Sequence, residues 1–252
     1  MNPFSISNKH ILITGASSGI GRQCAITCSQ MGAKVTLLGR DEIRLREVLS
    51  LMEGDEHLIL VEDISITSHI KRLVETSINS LGKVDGFIHA AGIEGTLPIN
   101  SLNEEKYIAY FKINVIAGFE FIKYLAKKKN FNNKGASFVL LGSVMGTLGE
   151  PGKVAYCSSK GALVNGVKAL ALELSSKNIR INSISPGIVE TPMTKNAFEM
   201  LPKESVEILR RNHPLGFGKP EDIAKSILFF LSGASKWITG TNLIIDGGYS
   251  AK

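Results

Sequence analysis

The chain has 252 residues, 44% of them hydrophobic and 21% charged, which is ordinary for a soluble globular protein. Its net charge of +6 comes from scattered basic residues, with one run at Lys127–Lys129 and no aromatic stacking motif, so nucleic-acid binding is not expected. No apolar stretch approaches the roughly 20 residues of a membrane span, and residues 1–8 do not resemble a secretory signal, so we expect a cytoplasmic protein without a membrane partner. Three cysteines without metal-ligand spacing fit a reducing compartment and predict no metal site.

Short apolar runs alternate along the chain with amphipathic stretches. The runs are rich in Val, Ile and Leu on consecutive positions, as strands buried on both faces of a parallel sheet are. We predict strands at His10–Thr14, Lys34–Leu38, His57–Val61, Val84–His89, Ser137–Gly142, Arg180–Ile184 and Asn242–Ile245. We predict helices at Gly19–Met31, Asp41–Met52, Thr67–Leu81, Glu104–Lys129, Ala155–Lys177 and Pro220–Ser232. This alternation predicts one α/β domain over residues 1–252, a Rossmann-type doubly wound parallel sheet of about seven strands with helices on both faces.

The first predicted strand ends in a glycine turn, Thr14-Gly15-Ala16-Ser17-Ser18-Gly19-Ile20-Gly21, that leads directly into a helix. Parallel sheets bind ligands at the carboxyl ends of their strands, and glycine lets a phosphate approach the backbone there. The helix N-terminus adds free N–H groups and the positive end of its dipole. Because a strand precedes the turn and a helix follows it, the sequence predicts a dinucleotide site.

The end of the second predicted strand, Leu38-Gly39-Arg40-Asp41, indicates which dinucleotide binds. In this architecture that position faces the adenosine ribose, where an acidic side chain would repel a 2′-phosphate. Gly39 lacks a carboxylate and Arg40 supplies a guanidinium suited to phosphate, so we predict NADP(H) as the preferred cofactor and NAD(H) as the alternative. Asp41 keeps that alternative open, because its carboxylate could bind the ribose. Asp63, which ends the third strand, is a candidate for binding the adenine amino group and for capping the turn that follows.

Ser143, Tyr156 and Lys160 form the candidate catalytic set. Ser143 follows the fifth predicted strand, and Tyr156 and Lys160 lie four residues apart on one face of the next helix. A tyrosine hydroxyl titrates near pH ~10, and a fixed ammonium or a cationic nicotinamide nearby is expected to lower that pKa. Tyr156 would then give a proton to a carbonyl oxygen as a hydride arrives, or take it back, while Ser143 holds the same oxygen. These residues predict an enzyme that moves a hydride between nicotinamide and a carbonyl or secondary alcohol.

With these motifs in this order, the chain resembles a classical short-chain dehydrogenase/reductase over essentially its whole length. The resemblance is carried by the glycine turn, Ala91-Gly92, Asn114, Ser143, Tyr156-x-x-x-Lys160, Pro186-Gly187 and the terminal Asp246-Gly247-Gly248. It implies that Asn114 anchors a water linking Lys160 to solvent, that Lys160 also binds the nicotinamide ribose, and that Ile188 and Thr191 meet the carboxamide. It implies cofactor contacts from Gly15, Ser17, Ser18, Gly19, Ile20, Gly21, Arg40, Asp63, Ile64, Ala91, Gly92, Tyr156, Lys160, Pro186, Gly187, Ile188 and Thr191.

One departure from the family pattern lies at the end of the fourth strand, where His89-Ala90-Ala91-Gly92 replaces the usual Asn-Asn-Ala-Gly. Ala90 cannot form the hydrogen bonds of the second Asn, which usually tie the central strands together. We therefore expect an effect on local rigidity and not on catalysis. His89 is interpreted as a packed strand-end residue, not as a proton carrier.

The overall pattern is closest to bacterial 3-oxoacyl-[acyl-carrier-protein] reductases, on stretches such as Asn178-Ile179-Arg180-Ile181-Asn182 and Glu190-Thr191-Pro192-Met193-Thr194. That resemblance implies an acyl-thioester substrate, a substrate-covering segment near residues 188–214, and an acyl carrier protein as partner of Lys127–Lys129 and Lys177. Reduction of a sugar, a steroid or another small ketone stays open. So does a non-catalytic nucleotide-binding scaffold, although the complete catalytic set argues against it.

Two further expectations follow from the family resemblance. The loops at Gly92–Leu97 and Val144–Val154 should contact the substrate together with the covering segment. The protein should be a homotetramer, with one interface formed by the predicted helices Glu104–Lys129 and Ala155–Lys177 and another by Gly247-Gly248-Tyr249. Those helices carry more apolar residues than one buried face requires.

Overall fold

The computed structural model describes residues 2–251. Its strands are β1 (His10–Thr14), β2 (Lys34–Gly39), β3 (His57–Val61), β4 (Gly86–His89), β5 (Ala136–Leu141), β6 (Ile179–Pro186) and β7 (Asn242–Ile245). Its α-helices are α1 (Gly19–Gln30), α2 (Glu42–Leu49), α3 (Ile70–Leu81), α4 (Glu104–Phe111), α5 (Ala117–Leu125), α6 (Val154–Leu174), α7 (Pro192–Glu199), α8 (Lys203–Arg211) and α9 (Pro220–Leu231). The alternation of strands and helices confirms the predicted α/β fold class.

The strands form one parallel sheet in the order β3-β2-β1-β4-β5-β6-β7. The chain moves outward from β1 to β3, returns to the centre at β4, and then moves outward in the other direction to β7. The strand order therefore reverses between β1 and β4, which pair in register with Thr14 opposite His89. The carboxyl ends of these two strands border the crevice in which such sheets bind ligands.

Helices cover the sheet on both faces. Leu12 of β1 packs into one hydrophobic cluster with side chains of α3, α5 and α6. Its neighbours Ile11 and Ile13 point to the opposite face and pack with α1, α2 and α9. Because successive strand residues alternate between faces, continuous apolar runs are what a sheet covered on both faces requires.

The predicted helix Glu104–Lys129 is interrupted in the structure. A π-helical turn at Lys112–Ile116 separates α4 from α5 and contains Asn114, and turns of this kind are frequent at functional sites. The helix ends at Leu125, after which the Asn130 side chain donates to the carbonyl of Tyr124 at 2.8 Å. Lys127–Lys129 therefore lie in the turn that precedes β5 and not in a helix.

The segment near residues 188–214 contains α7 and α8, which the sequence analysis did not predict. Both helices are short, and neither has a buried residue. α8 does carry apolar residues at helical spacing, Val206 and Leu209, so a helical pattern was present in the sequence there. A start signal for α7 was also present, because Thr191 caps the helix and Pro192 occupies its first position.

Two smaller differences concern element ends. β4 begins at Gly86, and Val84 forms an isolated bridge with Phe131. α6 ends at Leu174 and is followed by a 3₁₀ turn at Ser175–Lys177. Within residues 2–251 no helix is both long enough and apolar enough to cross a bilayer.

Candidate active site

A cavity of about 880 Å³ opens at the carboxyl ends of β1, β4, β5 and β6. Every predicted cofactor residue lines it, from Gly15 in the glycine turn to Thr191 before α7. Ser143, Tyr156 and Lys160 line the same cavity, so the fold brings the predicted nucleotide and catalytic residues together. Asn114 lies one layer behind the cavity wall and is fully buried.

The glycine turn is shaped by close backbone contacts. Gly15 has a φ of +69°, and a Cβ there would lie 2.7 Å from the amide nitrogen of Ala91. A Cβ on Gly21 would lie 2.3 Å from the carbonyl oxygen of Gly15. No side chain caps the N-terminus of α1 at Ser18, and its first turn carries no acidic residue. This end of α1 is therefore suited to an anion such as a pyrophosphate.

The end of β2 places Arg40 beside the cavity with an exposed side chain. Asp41, the other candidate for the ribose, caps α2 by accepting from the Arg44 amide at 3.1 Å and pairs with the Arg44 side chain at 3.2 Å. Its carboxylate is thus held by Arg44. A Cβ on Gly39 would lie 3.3 Å from the Ser17 hydroxyl oxygen, so the space beside the glycine turn is narrow.

Asp63 lines the cavity after the end of β3 and also caps its own turn. Its carboxylate accepts from the Ser65 amide at 2.9 Å, which agrees with the capping alternative. Burial raises the pKa of Asp63, but hydrogen bonds from Ser65 and the charges of Arg40 and Lys112 lower it further than burial raises it. Asp63 is therefore ionised at neutral pH and can accept a further hydrogen bond.

Tyr156 and Lys160 lie on the first two turns of α6 beside Ser143, which follows β5. The Lys160 ammonium donates to the Leu141 carbonyl at 2.7 Å and lies 5.8 Å from the centre of the Tyr156 ring. Burial raises the pKa of Tyr156 to about 12, against the lowering effect of its hydrogen bond with Ser143. Burial also lowers the pKa of Lys160 to about 8.

The expected lowering of the Tyr156 pKa is thus wrong for the protein alone, because desolvation of the phenolate raises the pKa by more than the hydrogen bond with Ser143 lowers it. At neutral pH the Tyr156 hydroxyl keeps its proton. In this state Tyr156 is a proton donor, as the reduction of a carbonyl requires. Positive charge on an oxidised nicotinamide would favour the phenolate and thereby the reverse reaction.

Asn114 uses its whole side chain to position the loop after β4. Its Oδ1 accepts from the Ile93 amide at 2.8 Å, and its Nδ2 donates to the Ile93 carbonyl at 3.1 Å and to Ser159 at 2.9 Å. Ser159 precedes Lys160 on α6, so Asn114 connects the loop after β4 to the catalytic helix. The water link from Asn114 to Lys160 stays a prediction.

His89 joins the two strands between which the strand order reverses. One ring nitrogen contacts the Thr14 hydroxyl at 2.9 Å and the other contacts the Ile113 carbonyl at 3.1 Å, next to Asn114. Burial, helped by the charge of Lys160, lowers the pKa of His89 to about 4, so the ring is neutral at pH 7. These bonds tie β1, β4 and the π-helical turn together at this point. The burial agrees with the interpretation of His89 as a packed strand-end residue.

Several cavity residues were not singled out from the sequence. On the β6 side, Phe198 of α7 stacks on Phe217 with ring centres 5.3 Å apart. His213 stacks on Tyr249 at 4.6 Å and accepts from the Ile188 amide at 3.2 Å. No local sequence signal marks these residues, because their partners come from distant parts of the chain.

On the β4 side, Glu94 and Lys153 line the cavity as an ion pair. Both fall within the loops expected to contact substrate, although neither residue was named. Tyr110 of α4 packs edge-on against Tyr156, with ring centres 6.5 Å apart.

A glycine turn at a helix start and a Ser, Tyr and Lys set in one cavity define an oxidoreductase that uses a nicotinamide cofactor. Comparison with known proteins supports this class. A family model described as enoyl-(acyl carrier protein) reductase matches residues 15–250. The chain is similar to the 3-oxoacyl-[acyl-carrier-protein] reductase of Thermotoga maritima, with 34% identity over 96% of this chain and 98% of that protein.

The similarity extends to proteins with other substrates. An NAD-dependent glycerol dehydrogenase of Listeria innocua is 32% identical over 99% of this chain and 96% of its own length. A 7α-hydroxysteroid dehydrogenase, solved with NADH and 7-oxo glycochenodeoxycholic acid, superposes with a TM-score of 0.90 at 28% identity, covering 98% of this chain and 97% of that one. The chain belongs to the short-chain dehydrogenase/reductase family.

Proposed function

We propose that the protein is an NADPH-dependent reductase of 3-oxoacyl thioesters. The observation that carries this proposal is an apolar wall, formed by α7, α8 and the turn between them, in the same cavity that Ser143 and Tyr156 line. That wall consists of Met193, Ala197, Phe198, Met200, Leu201 and Leu209. An acyl chain can pack against such a surface while a carbonyl group reaches the two hydroxyls.

The proposed reaction divides the work among three residues. Ser143 donates to the carbonyl oxygen and fixes its position. Tyr156, protonated at neutral pH, gives its proton to that oxygen. A bound NADPH would supply the hydride that the carbonyl carbon requires. Lys160 binds the nicotinamide ribose and returns a proton to Tyr156 along the route that Asn114 completes.

The preference for NADPH rests on Arg40 and on the engagement of Asp41. Arg40 is exposed beside the cavity and can pair with a 2′-phosphate. Asp41 is held by Arg44 and by its capping role, so it does not present a free carboxylate to the ribose. Two compared proteins carry NAD or NADH in their descriptions, so the preference has to come from these residues and not from family membership.

An acyl carrier protein is the proposed source of the thioester. The basic residues considered for its docking, Lys127–Lys129 and Lys177, precede β5 and β6 and therefore lie at the amino edge of the sheet. Strands of six or more residues, about 20 Å long, separate them from the cavity at the opposite edge. These lysines are therefore poorly placed to dock a carrier that delivers a thioester to the cavity of the same chain.

We further propose a homotetramer in the cytoplasm. Exposed apolar side chains on the long helices support the first proposed interface: Ile108, Ile116 and Leu172 are 52%, 44% and 78% exposed. Trp237, 97% exposed, and Ile244 on β7 support the second interface. Light scattering should give four times the 27.2 kDa chain mass. A monomer mass at micromolar concentration would contradict the proposal.

The proposed activity is tested by following NADPH oxidation with three ketones. These are 3-oxooctanoyl-N-acetylcysteamine thioester, a 7-oxo bile acid and dihydroxyacetone. We expect the thioester to have the highest kcat/KM, by about tenfold or more, because only it carries a flexible apolar chain beside an unhindered reacting carbonyl. A higher kcat/KM for either of the other two ketones would overturn the proposal.

A further inference from the structure

Glu94 and Lys153 form an ion pair inside the cavity, close to the catalytic tyrosine. Glu94 lies in the loop after β4, and Lys153 directly precedes α6. Their side chains are only 21% and 13% exposed, and both line the cavity. Charged side chains are rarely this buried without a partner, and here each is the partner of the other.

The backbone fixes Lys153 relative to Tyr156. The amide of Leu97, in the same loop as Glu94, donates to the Gly152 carbonyl at 2.8 Å and so joins the two loops. The Lys153 ammonium lies 6.0 Å from the centre of the Tyr156 ring. A lysine ammonium has three donors, so donors remain after the bond to Glu94. Lys153 can therefore offer a hydrogen bond to a group that binds beside the tyrosine.

The Glu94–Lys153 pair and the apolar wall lie on opposite sides of Ser143. Strands β4, β5 and β6 are neighbours in that order, and Ser143 follows the middle strand. Glu94 follows β4 on one side, whereas α7 and α8 follow β6 on the other. One substituent of a ketone bound at Ser143 and Tyr156 therefore lies on the side of the ion pair, and the other substituent lies on the side of the apolar wall.

We propose that Lys153, held by Glu94, is a specificity-determining residue that donates a hydrogen bond to a second carbonyl of the substrate. The site would then select 1,3-dicarbonyl compounds over simple ketones. In a 3-oxoacyl thioester the 3-oxo group reacts at Tyr156, the thioester oxygen accepts from Lys153, and the acyl chain extends towards β6. This inference rests on the proposed function and adds the residue that recognises the thioester.

Glu94 also affects whether the site binds neutral or negatively charged substrates. It neutralises Lys153, so the site binds a neutral thioester without attracting the corresponding free acid. Removing the Glu94 charge should leave a buried cation that favours a carboxylate.

The test compares two ketones in two variants. The variants are Glu94→Gln and the double variant Glu94→Gln, Lys153→Met, so that removing the ammonium leaves no unpaired carboxylate. The substrates are acetoacetyl-N-acetylcysteamine thioester and pentan-2-one, each with saturating NADPH. Lys83→Met, at the amino edge of the sheet where Lys83 donates to Asn133, is the matched lysine control.

We expect the double variant to have a thioester KM about tenfold or more above that of Glu94→Gln, because a charged hydrogen bond is lost. The kcat of the two variants should differ by less than about threefold. For pentan-2-one, kcat/KM should change by less than about twofold. Equal losses for both substrates would indicate a structural role and overturn the inference, as would an unchanged thioester KM.

The free acid provides an independent measurement. Glu94→Gln alone should raise kcat/KM for acetoacetate by about tenfold, and no gain would overturn the electrostatic role of the pair. A wild type that reduces pentan-2-one but no thioester would overturn the proposed function and this inference together. A wild type that reduces the thioester, followed by a double variant with an unchanged KM, would overturn only the inference.

Discussion

The two sides of the cavity are built by different physical means. On the side of β1 and β4, the glycine turn meets the neighbouring loop through backbone atoms, and helix α1 buries five residues against the sheet. On the side of β6, α7 and α8 bury none of their residues and are held by ring stacks such as that of Phe198 on Phe217.

This difference separates a fixed cofactor side from an adaptable substrate side. Backbone contacts cannot relax when a methyl group is added, whereas stacked side chains on short helices can repack. We therefore expect substitutions in the glycine turn to affect every substrate and the cofactor. Substitutions in α7 and α8 should affect some substrates and leave the cofactor unchanged.

The largest expected effect concerns Tyr156, which lies on α6 between the two sides of the cavity. Tyr156→Phe keeps the packing of the ring but cannot pass a proton, so kcat should fall by about 10²- to 10⁴-fold with every ketone. NADPH affinity, measured by fluorescence titration, should stay within about threefold of wild type. A variant that retained more than about a tenth of the wild-type kcat would show that another group is the acid.

Next in size is a steric change in the glycine turn. Gly21→Ala places a Cβ against the Gly15 carbonyl oxygen, at 2.3 Å before relaxation. We expect a loss of about 3 kcal/mol in the free energy of unfolding and much weaker NADPH binding. Gly149→Ala is the control, since a Cβ at Gly149 meets nothing within 4 Å. Urea denaturation measures both variants, and equal stabilities would contradict the fixed character of this side.

The third prediction concerns Arg40, which is expected to distinguish NADPH from NADH. Arg40→Ala should weaken NADPH binding by about 10- to 100-fold, the loss of a charged hydrogen bond to phosphate, and leave NADH binding nearly unchanged. Arg46→Ala, an exposed residue of α2 paired with Glu42, is the matched control. Titration with both cofactors measures the effect. Equal losses of NADPH and NADH affinity would point to a general role of Arg40 at the ribose.

His89 gives the cofactor side a pH dependence. Between pH 4 and 6.5 the unfolded chain binds a proton at this residue and the folded chain does not, since burial lowers the pKa of His89 to about 4. The free energy of unfolding should therefore fall as pH decreases through this window, and at pH 5 it should be about 2 kcal/mol below its value at pH 7.

His89→Asn removes this titration, and the stability of the variant should change less between pH 7 and pH 5. The difference between wild type and variant separates His89 from His10, whose pKa burial also lowers. Parallel pH dependences in urea denaturation would contradict a neutral buried His89.

The same division explains what the sequence could predict. Most of the strands were recognisable because they are short apolar runs, although β6 alternates isoleucines with polar residues. The predicted cofactor residues were recognisable because glycine and strand-end positions carry local signals. The π turn around Asn114 has no such signal, because it depends on the side chain reaching Ile93. Helix α7 lacks a buried stripe, and the Glu94 and Lys153 pair joins loops far apart in sequence.

The pKa of Tyr156 illustrates a further limit. The sequence places Lys160 one helical turn away and so indicates a lowered value. It does not show how deeply the ring is buried, and that burial raises the pKa instead. A pKa shift that depends on desolvation can be predicted only when the packing around the group is known.

The division between the two sides is tested most directly by Phe198→Ala, which trims the apolar wall and replaces no predicted cofactor residue. The measurement is kcat/KM for short-chain and long-chain 3-oxoacyl thioesters, together with the Kd for NADPH. We expect the long-chain kcat/KM to fall by about tenfold, with changes below about twofold for the short chain and for NADPH. A loss of NADPH affinity equal to the loss for the long chain, or equal losses for both chain lengths, would contradict an adaptable substrate side that is independent of the cofactor side.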